Sequence, residues 1–415
     1  MTTLQHRGPA TVAAAMAALP RVVDLLAARA DELDREGTFP YQGIEAVHEA
    51  GLLTLTVGAR YGGTAAGLAD TVRVLGELGR GDASVALVAA GTLLHHAAQA
   101  HHGVWPERLY RALLEESRRG PALAATLRAE PAGDPSGPAG TPATVARRTE
   151  GGWLLRGRKT RCTGAEALSW MAVPARTDEV EPQVGTFLVR GDAPGIEIDP
   201  TWDHLGLRAS VGHDVLLNDV LVPERAVVGL HDPARRPAPG PAATGPAPTG
   251  PAATGPAPTG PAATGPEGPE AVAMAWRNLA LPAVQLGVAR AARDWLVAAV
   301  HRRAVPATPG RHTALGEIET RLTCAEELLA ALAHRIDQGD PAAVPRTGPA
   351  GLLAVRAAVS TVEQAVALAG DHGLSRANPL ERHHRDILCG RTHCPQEDAV
   401  LTEAGRAALA GAAPR

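Results

Sequence analysis

Val22, Leu25, Leu26, Ala30 and Leu33 fall at i, i+3, i+4, i+8 and i+11, a spacing that lines one face of a helix. Phe39-Pro40 interrupts that pattern, and Ile44, Val47 and Leu52 resume it as a second amphipathic turn. Residues 11–120 therefore read as helices, and residues 1–120 as a helical domain. From residue 121 the pattern changes. Trp153-Leu154-Leu155-Arg156, Thr186-Phe187-Leu188-Val189, Ile196-Glu197-Ile198 and residues 215–222 are short, rich in branched side chains and separated by Gly, Pro or Asp. Strands joined by turns have that pattern, so residues 121–232 are expected to form a small β domain or barrel. Helical spacing returns from residue 269. Leu315, Ile318, Leu322, Ala325, Leu329, Leu332 and Ile336 step by three and four, as in a long bundle helix, and residues 352–368 predict another. The order helical, β, helical points to an α+β chain with a helical bundle over 269–415.

Between the last two regions the sequence loses complexity. The decapeptide GPAATGPAPT fills 240–249, repeats at 250–259 and begins again at 260. Gly in every half-repeat prevents a stiff polyproline rod, and nothing there can bury a core. Residues 233–268 are expected to be a disordered insertion.

Composition narrows the function classes. Of 415 residues, 45% are hydrophobic and 20% charged, as in globular proteins. Forty basic residues against forty-four acidic ones give a net charge of −4, with no basic stripe, so a nucleic-acid partner is not expected. Cys162, Cys324, Cys389 and Cys394 lack metal-type CxxC spacing and read as reduced thiols of a cytoplasmic protein. His101, His102, His383 and His384 form no i,i+4 ligand pair with a carboxylate, so no metal is expected. The apolar run over 85–94 carries Gly91 and is short of a bilayer, and no signal-peptide pattern opens the chain.

Six fragments then carry a family resemblance. Gly370-Asp371-His372-Gly373-Leu374, followed by Pro379-Leu380-Glu381-Arg382-His383-His384-Arg385-Asp386, resembles the C-terminal signature of the acyl-CoA dehydrogenase superfamily. Arg60-Tyr61-Gly62-Gly63, Gly81-Asp82-Ala83-Ser84 and the stretch from Gly157 to Gly164 resemble its turn, helix-start and strand motifs. Trp202-Asp203, Leu205-Gly206-Leu207-Arg208-Ala209-Ser210 and Asp219-Val220 with Val222-Pro223 continue the match in the family's order. The resemblance implies an N-terminal helical domain, a central β-barrel domain and a C-terminal four-helix bundle. It also implies a flavin, FAD or reduced FMN, and a homotetramer or homodimer.

Carried over position by position, the resemblance implies flavin contacts from several segments. The family's Thr-Glu-Pro becomes Ala129-Glu130-Pro131, with Thr126 upstream as a substitute hydroxyl, and Gly133-Asp134-Pro135-Ser136 stands where Gly-Ser-Asp is usual. Thr163 matches the residue that bonds flavin N5, and Arg161 occupies a place where many relatives put an aromatic ring. Arg303 aligns with an arginine that reaches the pyrophosphate, and Gly370 and Gly373 would let backbone approach it. Cys162 and Gln396 complete the implied cofactor contacts.

One departure decides the expected chemistry. Fifteen residues past Pro379, where the family keeps its catalytic glutamate, stands Cys394. The family's alternative base position falls on Arg277. Removing an α-proton from an acyl thioester requires a base, and a positioned one contributes about 10²–10⁴-fold. Glu397 and Asp398 lie three and four residues out of register. His393 instead resembles the histidine of the dibenzothiophene- and sulfone-monooxygenase branch, which uses reduced flavin and oxygen, and imidazole titrates near neutrality. His95, on a helix of the first domain, is a second candidate facing the substrate. The expectation is a flavin monooxygenase acting on a small organic substrate and fed by a separate reductase. The alternatives are acyl-CoA desaturation with a displaced base and an electron-transfer partner, or a non-catalytic binding subunit.

Overall fold

The computed structural model describes residues 11–131, 141–233, 268–302, 308–393 and 396–411. The GPAATGPAPT repeat, Gly133-Asp134-Pro135-Ser136, Arg303 and Cys394 lie outside the described residues.

Thr11 opens α1 (Val12–Glu36) by accepting the amide of Ala14 at 3.2 Å, and Gly37 closes it at φ 65°. The buried arc of α1 is Leu19, Val22, Val23, Leu26 and Ala30, so Leu25, expected on that face, lies outside it and is 41% exposed. Next come α2 (Tyr41–Glu49), α3 (Leu68–Gly81), α4 (Ala83–His102) and α5 (Glu107–Ser117). Asp82 ends α3 and caps α4, its carboxylate accepting the amides of Ser84 at 2.7 Å and Val85 at 3.2 Å.

The middle region is one mixed sheet. It comprises β1 (Leu123–Thr126), β2 (Val145–Thr149), β3 (Gly152–Lys159), β4 (Leu168–Thr177), β5 (Val184–Arg190), β6 (Ile196–Asp199), β7 (Asp214–Val222) and β8 (Val227–His231). The strand order is β6-β7-β3-β2-β4-β5-β8, with β1 pairing parallel to β4. The sheet curls enough for β5 to approach β7. Four strands match the runs anticipated above; β1, β2, β4 and β8 add to them. β4 escaped the pattern because Pro174 interrupts it and both faces are covered, which erases the alternation of a half-buried strand.

The C-terminal region contains α6 (Pro269–Arg302), α7 (Pro309–Asp337), α8 (Thr347–Ala369), α9 (Leu380–Gly390) and α10 (Glu397–Gly411). α6 is its axis, packing on α8, α7 and α9 and also on α3 and α4 of the first region. Glycine makes the α3–α6 crossing possible. A Cβ on Gly287 would stand 2.1 Å from the Gly76 carbonyl, and one on Gly79 2.5 Å from that of Val284. The segment Val344–Leu374 is long and apolar enough to cross a membrane, beyond what the run over 85–94 showed. Its α8 portion buries Leu352, Val355, Val359, Val362 and Ala365, most of them against the bundle.

The family signature proves to be an interdomain clamp. Arg385 donates to both carboxylate oxygens of Asp34 on α1, at 3.0 and 2.6 Å, and to Glu381 at 2.8 and 2.9 Å. Arg382 bonds Asp31 at 2.7 Å, and Asp386 accepts the amide of Leu207 at 2.7 Å. The amide of Gly206 donates to the Cys389 sulfur at 3.2 Å. A Cβ on Gly206 would lie 2.4 Å from the Arg385 backbone, so only glycine seats this loop against α9. The clamp therefore fixes α9 to both other regions, and with it the segment that carries His393.

Candidate active site

α4, the end of β1, the turn after β3, α6 and the turn after α9 each bring one polar group to a common place. On α4, His95 Nε2 lies 3.1 Å from Thr126 Oγ1 at the end of β1, and its ring meets Trp105 edge-on at 5.8 Å. Burial lowers the His95 pKa to about 4, and the charges of Arg128 and Arg277 add to that effect. Burial likewise lowers His393 to about 4; the Gly390 carbonyl opposes the shift, while Arg277, His204 and Arg161 reinforce it. Both imidazoles are thus neutral near pH 7, and the Arg277 charge acts on each. His393 Nδ1 is buried without a hydrogen-bond partner among the described residues. The fold thus ties His95 to Thr126 and sets Arg161 and His204 near enough to act on His393, and of these the sequence had not singled out His204. His204 stacks on Trp202 at 3.7 Å, and the only signal was its place between Trp202 and Gly206.

The turn after β3 is built to face outward. Arg161 adopts φ 53°, and its amide donates to Asp214 at 3.2 Å. Cys162 turns inward; burial pushes its thiol up to about 12, so it offers no thiolate. Thr163 sits between Cys162, whose amide bonds His213, and Gly164, whose amide bonds Ser210. The hydroxyl and amide of Thr163 have no partner among the described residues. An isoalloxazine ring presents acceptors to such donors, so Thr163, Thr126 and the open His393 nitrogen fit a flavin by donor chemistry.

Other anticipated residues stand elsewhere. The Ala129 carbonyl accepts the amide of Thr160 at 2.9 Å, a backbone tie. Gly370 and Gly373 lie in the turn after α8, where Gly373 packs on the Val366 backbone. Gln396, which immediately precedes α10, donates to the Thr392 carbonyl at 3.0 Å on the surface side of the chain. The out-of-register acid Glu397 is ion-paired with Arg356. Glu130 is enclosed by Lys159 at 2.6 Å and by the Ala143 and Thr144 amides at 2.7 and 2.9 Å. Among the described residues no group of three or more His, Cys, Asp or Glu could hold a metal ion.

The neutral histidines make stability acid-sensitive. His96, fully buried and bonded to the Tyr110 hydroxyl at 2.8 Å, is lowered by burial to about 3. The unfolded chain takes up a proton near 6.5 that the folded form refuses, so stability is complete above that pH and declines below it. Asp386, raised by burial to about 7, works in the opposite direction. Comparing the parent with His96→Asn cancels that term. The variant should lose about 2 kcal/mol less between pH 7 and pH 5, from about 1.4 kcal/mol per pKa unit. Urea unfolding at the two pH values measures it; equal losses would contradict the assignment.

Similar proteins agree with this architecture. Models of the N-terminal, middle and C-terminal domains of acyl-CoA dehydrogenases match residues 20–103, 125–220 and 279–396. YdbM of Bacillus subtilis (strain 168), assigned by name to the acyl-CoA dehydrogenases, is 30% identical over 400 residues, covering 93% of this chain and 94% of YdbM. The L-evernosamine nitrososynthase of a Micromonospora species is 28% identical over 425 residues, covering 93% of this chain and 89% of that protein. KijD3, solved with FMN and dTDP-3-amino-2,3,6-trideoxy-4-keto-3-methyl-D-glucose, superposes with a TM-score of 0.77 at 26% identity. That superposition covers 99% of this chain and 97% of KijD3. With all three domains matched in order around this cluster, the chain belongs to the acyl-CoA dehydrogenase superfamily of flavin-dependent oxidoreductases.

Proposed function

We propose that this protein is a flavin-dependent monooxygenase that uses FMN or FAD in reduced form, supplied by a separate reductase, to oxygenate a small organic substrate. The observation that carries the reading is the company of His393. The charged and titratable groups acting most strongly on it are Arg277, His204 and Arg161, none of them a carboxylate. Of the two acids that follow the missing base, Glu397 is ion-paired with Arg356 and Asp398 is exposed in the first turn of α10, while Glu130 is committed to Lys159. Likeness to a nitrososynthase and to the FMN-bound KijD3 supports the same reading.

When bound, a reduced flavin supplies two electrons to O₂, so that one oxygen atom enters the substrate and the other leaves as water. The chain's own residues position and protonate. Thr126 orients His95 through the 3.1 Å bond, and Trp105, packed edge-on against both His95 and Trp170, keeps water from that side. His393, neutral near pH 7, holds a lone pair or an N–H at the open nitrogen and can take or return a proton there.

Desaturation of an acyl thioester is the second reading, favoured by the likeness to YdbM. Purified protein is mixed anaerobically with reduced FMN or FADH₂ and then with oxygen. The monooxygenase reading expects re-oxidation kinetics altered from those of free flavin and oxygen uptake that rises with substrate. Bleaching of protein-bound oxidised flavin by an acyl-CoA without oxygen would establish the alternative.

A further inference from the structure

Arg277 projects from α6 with no acceptor for its guanidinium among the described residues. Its neighbours on the helix are engaged elsewhere. Trp276 is buried against His101 at 5.5 Å, and Asn278 donates to Thr347 at 3.3 Å. Two arginines further along α6 have acidic partners: Arg290 meets Glu77 at 2.7 Å and Glu326 at 3.1 Å, and Arg293 meets Glu319 at 3.3 Å. Arg277 is half-buried, and its charge acts on two neutral imidazoles, His95 and His393. A partly covered cation without an anion is costly, and a ligand that brings one relieves the cost.

We propose that Arg277 is the recognition residue for an anionic group, a carboxylate or sulfonate, carried by the small organic substrate and held beside His393. A guanidinium presents a planar fork that pairs two oxygens at once, which suits either group. The phosphate of a flavin lies at the far end of the ribityl chain from the reacting ring. A cation whose charge reaches both His95 and His393 therefore suits the substrate better than the cofactor. The inference rests on the reading that these imidazoles face the reacting centre, but its test requires no turnover.

Protein with ¹⁵N-labelled histidine rings is titrated by NMR with acetate and, separately, with methanesulfonate, in the absence of flavin. The His95 and His393 signals, identified by loss in H95Q and H393Q, should shift saturably with at least one of the two anions. The anion offsets the positive charge beside both rings, and the more effective anion identifies the substrate class. R277Q should weaken that binding about tenfold or more, the scale of one charge-assisted pair. R277K, which keeps the charge and hence the fold, should weaken it severalfold.

No saturable shift with either anion in the parent overturns the proposal, and so does equal affinity in both variants. If R277Q does not fold, R277K decides the matter, and parent-like affinity in that variant overturns it. A second arm compares FMN with lumiflavin, which lacks the phosphate. Should R277Q weaken FMN binding alone, the cation serves the cofactor and the proposal falls. Failure of oxygen chemistry with anion binding intact would remove the monooxygenase reading and leave this site standing.

Discussion

Replacing His393 with glutamine should slow oxygen-dependent turnover by about 10²-fold or more, the usual contribution of a positioned proton-transfer group. Stability should change much less than the rate, because Nδ1 has no partner among the described residues and the ring's tie to the Gly390 carbonyl can be remade by an amide. Steady-state oxygen uptake with excess reduced flavin reads the rate, and thermal unfolding reads the fold. A second signature separates chemistry from packing. With its pKa lowered to about 4, chiefly by burial, the imidazole is neutral over the working range, so the parent rate should fall only as pH approaches that value. The same acid limb should be missing from the residual rate of the variant. His231, half-buried at the end of β8 and bonded to the Gly229 carbonyl at 2.7 Å, gives the control, and its replacement should leave the rate unaltered. A His393→Gln enzyme with the parental rate and pH profile would end the case for an imidazole and return attention to thioester desaturation.

The largest stability loss is expected at Lys159. Its side chain is fully buried in the sheet, and its ammonium donates to Glu130 at 2.6 Å and to the Pro174 carbonyl at 2.7 Å. Lys159→Met leaves the Glu130 carboxylate without its cation, a change that costs about 3–5 kcal/mol in buried pairs. The Ala143 and Thr144 amides and the Thr144 hydroxyl still donate to Glu130, at 2.7, 2.9 and 2.6 Å. Those donors place the expected loss near the lower end, about 3 kcal/mol, readable as a shift in urea midpoint. Adding Glu130→Gln should recover part of it, because a neutral amide needs no counter-charge. The pH dependence carries a definite sign. The Glu130 pKa stands below its ordinary 4.5 although burial alone would raise it, because Lys159 and the donors outweigh desolvation. Its contribution is present above that value and is lost as pH falls through the depressed pKa, so parent and variant should converge in acid. A loss under 1 kcal/mol would mean that the pair is hydrated and contributes little.

This pair also explains a departure visible in the sequence. The family's Thr-Glu-Pro reads as a flavin contact, yet the middle residue, Glu130, anchors the end of β3 rather than the imidazole cluster. A linear motif does not say which way its side chains turn. Arg382, Arg385 and Asp386 repeat the lesson: the signature that most clearly identifies the family clamps α9 to α1 and to Leu207. Its effect on chemistry is indirect, through the position it imposes on His393.

By itself the sequence determined the order of helical, β and helical regions, because burial of one face imposes a periodicity that survives in the letters. It also determined the family, because six spaced fragments occur in a fixed order, and it marked His95, Thr126, Arg161 and His393 as residues to watch. It could not reveal β4, whose two covered faces leave no alternation. Nor could it show that Glu130 is enclosed, that Cys162 turns inward, or that Arg277 and His204 stand beside His393. Those facts depend on residues far apart in the chain meeting across three regions. Only the tertiary structure decides such meetings, since the field and the water at a side chain are set by whatever packs around it.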